Sequence, residues 1–244
     1  MPDPLKPNIV FVHVDQMSYD AMSVRGNTDV HTPHLDRIAA EGTSFLLAHS
    51  ANPVCCPARS SWYTGRMSSE HGVVRNAKPI LDDLPDLGRW MQPRGYDCFY
   101  TGKWHVPHRK VGDSFRMLPA GHHYGELGDA AVATAACGFL QHYSGSRPFF
   151  LNAGFLNPHD CCYLSFSPQN PATKFQVAGA LREELPPLPP NFDPNAQKKG
   201  SSDKCVLFLV QGHELELVEF HVPIAVRLPL HGLCFVVQPL QGAV

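Results

Sequence analysis

The segment Cys55-Cys56-Pro57-Ala58-Arg59 sets a thiol four residues before a guanidinium, where Pro57 can sit near the first turn of a helix. From that turn Arg59 can reach back toward the cysteine, and a helix N-terminus itself favours an anion. Other groups suited to anion chemistry are spread along the chain: Asp15-Gln16, Lys103, His105 and His159. Taken singly, each has an ordinary explanation. An Asp-Gln pair after a strand more often caps a helix or closes a turn than binds a metal. A lone lysine is a solvated surface charge, and most single histidines are polar residues without a chemical task. What lifts these residues above such explanations is where they fall: all lie at the ends of expected strands.

The strands and helices are legible from pattern. Asn8 to Val14 (NIVFVHV) is a β-branched apolar run that reads as a buried strand. Thr32-Pro33 opens a helix with Leu35, Ile38 and Ala39 in register, stopped by Gly42. Thr43 to His49 reads as a second strand, and Pro57 to Tyr63 as a helix. Leu84 to Met91 is a further helix, halted around Pro93 and Gly95. Tyr96 to Tyr100 is a third strand, followed by the polar turn Thr101 to His105. A helix from about Asp129 to Tyr143 precedes the strand Pro148 to Phe155. This alternation indicates an α/β fold with a largely parallel sheet flanked by helices. Ligands of such sheets bind beyond the carboxyl ends of the strands. Asp15-Gln16 follows the first strand, Cys55 the second, Lys103 and His105 the third, and His159 the fourth.

The longer run Cys55-Cys56-Pro57-Ala58-Arg59-Ser60-Ser61-Trp62-Tyr63-Thr64-Gly65-Arg66 resembles the C-x-P-S/A-R-x-x-x-x-T-G-R signature of type I sulfatases. Thr32-Pro33-His34-Leu35-Asp36 is similar to that family's TPNLD, Gly102-Lys103-Trp104-His105 matches its GKWH, and Pro158-His159-Asp160 is similar to its later histidine motif. The resemblance implies an alkaline-phosphatase-like catalytic domain over residues 1–194 and hydrolysis of small-molecule or carbohydrate sulfate esters. It implies that a formylglycine-generating maturation enzyme oxidises Cys55, with Cys56 filling the variable position. One hydroxyl of the formylglycine hydrate would attack sulfur, and the other would expel sulfate by reforming the aldehyde. It further implies a calcium or magnesium ion held by Asp15, Gln16 and the hydrate at position 55. Gln16 stands where the family more often has an aspartate. Arg59, Lys103 and His105 would contact hydrate and sulfate oxygens, and His159 would protonate the leaving alcohol.

The bulk of the sequence is consistent with this and excludes other classes. Hydrophobic residues make up 43%, enough for a sizeable core, and the net charge of −2 lacks the basic surface that nucleic-acid binding requires. No run of about eighteen apolar residues suggests a membrane span. Met1 to Asn8 lacks the basic-then-apolar layout of a secretory leader, so a cytoplasmic location is expected. Eight cysteines, at 55, 56, 98, 137, 161, 162, 205 and 234, have no zinc-finger spacing and, Cys55 aside, are expected to be mostly buried thiols. His108 and His122-His123 are expected in surface loops.

The character changes at the proline-dense stretch Leu185 to Pro194, beyond which residues 195–244 do not match the family. The second acidic metal-ligand pair and further lysine of longer sulfatases have no counterpart there. Two alternatives therefore stand beside the hydrolase: a sulfatase-like fragment without turnover, and a phosphonate or phosphate ester hydrolase of the same superfamily.

Overall fold

The computed structural model describes residues 6–120, 125–162, 204–211 and 214–221. Its centre is a four-stranded sheet in the order β1-β4-β2-β3, formed by Ile9–Val14 (β1), Asp97–Gly102 (β2), Arg116–Met117 (β3) and Phe149–Phe155 (β4). Every neighbouring pair is parallel, as the alternation of strands and helices predicts. The helices are Pro33–Glu41 (α1), Cys55–Thr64 (α2), Ser68–His71 (α3), Leu87–Met91 (α4) and Gly125–His142 (α5). Lys204–Gln211 and Glu214–His221 form a separate antiparallel pair, in a stretch where the sequence pattern suggests no element.

The pleat of the strands divides the core. Phe11, Cys98, Tyr100 and Phe150 pack with Cys56, Tyr63, Met91 and Phe115 in one cluster. Phe149, Leu151 and Ala153 pack with Val132 and Ala136 of α5 in the other. Helices thus cover both faces, which is why β1 and β4 read as largely apolar runs.

The expected strand Thr43–His49 does not form. These residues run as turn and coil, with Phe45 65%, Leu46 54% and Leu47 84% exposed. Alternation supplies a face but not a partner, and the four-stranded sheet does not include this segment. The order of strands before Cys55 is corrected accordingly: Cys55 follows a coil. The other elements match to within a few residues. α4 begins only at Leu87, because Asp86 caps it by accepting from the Arg89 N–H at 3.0 Å.

Two glycines let the strand ends approach at the site. A Cβ on Gly102 (φ +88°) would lie 2.0 Å from the Gly154 carbonyl oxygen, and one on Gly154 would lie 2.4 Å from the His13 ring and 2.7 Å from the Lys103 carbonyl oxygen. Among the described residues, no helix is long and apolar enough to cross a membrane.

Candidate active site

The site forms at the carboxyl ends of β1, β2 and β4, where α2 begins. Asp15 follows β1 and is 5% exposed. Its Oδ2 accepts from Arg59 Nη2 at 3.0 Å and from Lys103 Nζ at 2.5 Å. Burial pushes the Asp15 carboxyl upward, but Arg59 and then Lys103 outweigh it and hold the group below the usual carboxylate value. Gln16 adopts φ 61° and His105 φ 55°, left-handed conformations that cost about 1–3 kcal/mol each in non-glycine residues and that gather at functional sites.

Cys55 is the first residue of α2. Its Sγ, an Asp15 carboxylate oxygen and a His159 ring nitrogen all lie within 4.8 Å of one another. Cys56 points the other way: its side chain is buried in the core beneath the helix, and its backbone N–H donates to Asn76 Oδ1 at 3.0 Å. Cys98 is likewise buried, whereas Cys137 is exposed, contrary to the expectation for these thiols. Cys161 and Cys162 close a short 3-10 turn that starts at His159, and Cys205 lies in the antiparallel pair. Cys234 and His122-His123 lie outside the described residues. His108 is exposed, as expected.

Arg59 does not reach out to solvent. It is 1% exposed, donating through Nη1 to the Lys103 carbonyl at 2.6 Å and through Nη2 to Asp15. The guanidinium therefore braces the Asp15 carboxylate and the start of the Lys103–His105 turn from below. That turn is pinned at its far end too. Trp104 Nε1–H donates to the Arg109 carbonyl at 2.8 Å, and the buried Arg109 pairs with Asp86 at 3.4 Å. Ser114 Oγ–H also donates to Asp86 Oδ2, at 2.6 Å. Lys103 is thereby held at the site, while the side of the turn bearing His105 is exposed.

His159 follows β4 on a loop fixed from α5. Asp129 accepts from the backbone N–H groups of Leu156 and Asn157, both at 2.8 Å. Asp160 is wholly buried and accepts from the Gly125 N–H at 2.5 Å, and its Oδ1 lies 3.3 Å from His159 Nδ1. Asp15, Cys55, Arg59, Lys103 and His159 are thus brought together from four elements.

A sulfatase family model matches residues 7–206. The chain belongs to the sulfatase family. An N-acetylglucosamine-6-O-sulfatase of Bacteroides thetaiotaomicron is 28% identical over 172 residues, 63% of this chain and 31% of that protein. The N-acetylgalactosamine-6-sulfatase of Homo sapiens is 37% identical over 119 residues, 43% of this chain and 23% of that protein. A structure solved with its substrate D-glucosamine-2-N,6-O-disulfate superposes with a TM-score of 0.56 at 27% identity, over 63% of this chain and 35% of that one. The matched part of this chain therefore spans about a third or less of these relatives.

Sequence pattern missed the layer beneath the site. His13 is 4% exposed and lies against Tyr63, Tyr100 and Arg59. The available signal was a histidine at an inward position of NIVFVHV, between buried Phe11 and buried Asp15. Burial, then the Arg59 charge, pushes the His13 pKa well below its ordinary value, and burial likewise lowers that of His71. Both rings stay neutral in the folded chain at pH values where the unfolded chain takes up protons. Stability is then fully present above about pH 6.5 and falls as pH drops below it, by about 1.4 kcal/mol per pH unit for each ring until its folded pKa is reached. The depressed Asp15 pKa acts lower, below about pH 3.9. Thermal melts from pH 7.5 to 5 should show the melting temperature falling through the acidic half of the range. A flat profile would contradict neutral burial of these rings.

Proposed function

We propose that the protein hydrolyses sulfate monoesters, with formylglycine derived from Cys55 as nucleophile and a divalent cation bound beside it. The observation that carries this reading is the close approach of Cys55, Asp15 and His159 at the N-terminus of α2, inside a sulfatase domain. The residues fit a hard cation on chemical grounds: Asp15 is a buried ionised carboxylate, Gln16 offers an amide oxygen next to it, and Cys55 is within reach. Asp15 and Gln16, with an oxygen of converted Cys55, would hold calcium or magnesium, which when bound polarises a sulfate oxygen as a Lewis acid.

The chain's own residues supply the rest. Lys103 places a positive charge beside Asp15 that opposes the repulsion between an anionic ester and its nucleophile. Arg59 keeps Asp15 ionised and fixed, and the N-terminus of α2 adds a partial positive charge at position 55. His105, at the exposed end of the same turn, would contact sulfate oxygens, and His159 would give a proton to the leaving oxygen. The relatives whose names specify 6-sulfated amino sugars favour a carbohydrate sulfate as the substrate.

The test is co-expression with a formylglycine-generating enzyme, followed by assay of an aryl sulfate and a 6-O-sulfated glucosamine with calcium and with magnesium. Aryl phosphate and phosphonate esters serve as competitors for the assignment. Sulfate turnover that chelation abolishes is the expected result. Complete conversion of Cys55 without sulfate hydrolysis would identify an inactive family member, and faster phosphonate cleavage would move the chain to the neighbouring activity.

A further inference from the structure

We propose that His13 is a positioning residue, held as the Nε2–H tautomer, that locks Arg59 and the Lys103 carbonyl beneath the site. The tautomer follows from the donors around the ring. A guanidinium can only donate, so Arg59 Nη1, 3.3 Å from His13 Nδ1, requires a lone pair on that nitrogen. The neutral ring then carries its proton on Nε2, which lies 3.2 Å from Tyr100 Oη and 3.3 Å from Tyr63 Oη. Tyr100 gives its own proton to the Lys103 carbonyl at 2.5 Å and is left to accept from the ring.

The bonds close into a loop. Arg59 donates to His13, His13 to Tyr100, Tyr100 to the Lys103 carbonyl, and that carbonyl also accepts from Arg59 at 2.6 Å. One ring on β1 thereby ties α2 to the turn after β2, the two segments that place Arg59 against Asp15 and Lys103 against Asp15. Tyr63 extends the network toward Asn152 on β4, with its hydroxyl 3.5 Å from Oδ1. His13, Tyr63, Tyr100 and Asn152 are all under 5% exposed, so no water competes easily for these bonds and each missing partner is costly. An apolar residue at position 13 would leave Arg59 short of an acceptor. Asparagine would return one, since its Oδ1 falls near the place of Nδ1.

The role of the locked groups rests on the sulfatase reading, but the test needs no turnover, so the two can fail separately. Long-range proton–nitrogen NMR of the full chain, labelled with nitrogen-15, reports the protonated nitrogen of His13 directly, assigned by its loss in His13→Asn. The expected spectrum has a proton on Nε2 and a bare Nδ1. A proton on Nδ1 would overturn the proposal. The Arg59 guanidinium signals give the second readout. They are expected to be resolved and slow to exchange in the unsubstituted chain and in His13→Asn, and to collapse in His13→Leu with exchange at least about tenfold faster, the size expected for losing one bond to a charged group. Equal behaviour of the leucine and asparagine variants would overturn it as well. If His13→Leu does not fold, Tyr100→Phe removes the acceptor of Nε2–H instead. The tautomer is expected to persist there, held by Arg59 at Nδ1, while Arg59 exchange speeds up; Arg59 signals unchanged in that variant would refute the lock.

Discussion

On the proposed function, replacing Cys55 by alanine should remove sulfate-ester turnover, by about 10⁴-fold or more, because a covalent nucleophile has no substitute among its neighbours. Cys56→Ala has a different consequence. Cys56 is wholly buried in the core under α2, so its loss costs about 1–2 kcal/mol of stability and leaves the chemistry in place. Proline two residues on and arginine four residues on place Cys55 in register for modification, and the fold turns the same residue toward Asp15 and His159. Peptide mass spectrometry after co-expression with the maturation enzyme should show a thiol lost and an aldehyde gained at Cys55 alone. Modification at Cys56, or turnover surviving in Cys55→Ala, would refute the assignment.

His159→Ala should slow substrates with poorly acidic leaving alcohols by about 10²–10⁴-fold, while aryl sulfates with acidic phenols lose far less. The difference arises because a good leaving group departs as an anion and needs no proton. The setting of the residue supports the role: Asp129 fixes the loop that carries His159, and Asp160 lies against its Nδ1. Rate constants for a series of sulfates, plotted against leaving-group acidity, give a steeper dependence for the variant if His159 is the acid. Parallel lines would instead make His159 a group that binds sulfate or shapes the site.

The agreement between pattern and fold is uneven, and the unevenness has a cause. β4 is buried along both faces, and β1 and β2 bury one face and half-bury the other, a property their residue types reveal without neighbours. Thr43 to His49 has comparable β character but remains coil, since a strand depends on a partner that its own residues do not specify. Arg59 stands in the signature, yet its distance along the chain from Asp15 and the Lys103 carbonyl hides the fact that it braces both from beneath.

By itself the amino-acid sequence determined the class of fold, the candidate cysteine Cys55, and the set of charged and imidazole groups that gather around it, because spacing within one segment and placement at strand ends are local properties. Only the tertiary structure decided which way each group faces. It turned Cys55 toward the site and Cys56 into the core, aimed Arg59 at Asp15, and placed His13 under both. The physical reason is that burial and hydrogen bonding in this layer join residues from β1, α2, β2 and β4 that are 37 to 89 positions apart in the chain, and no local pattern encodes such closures.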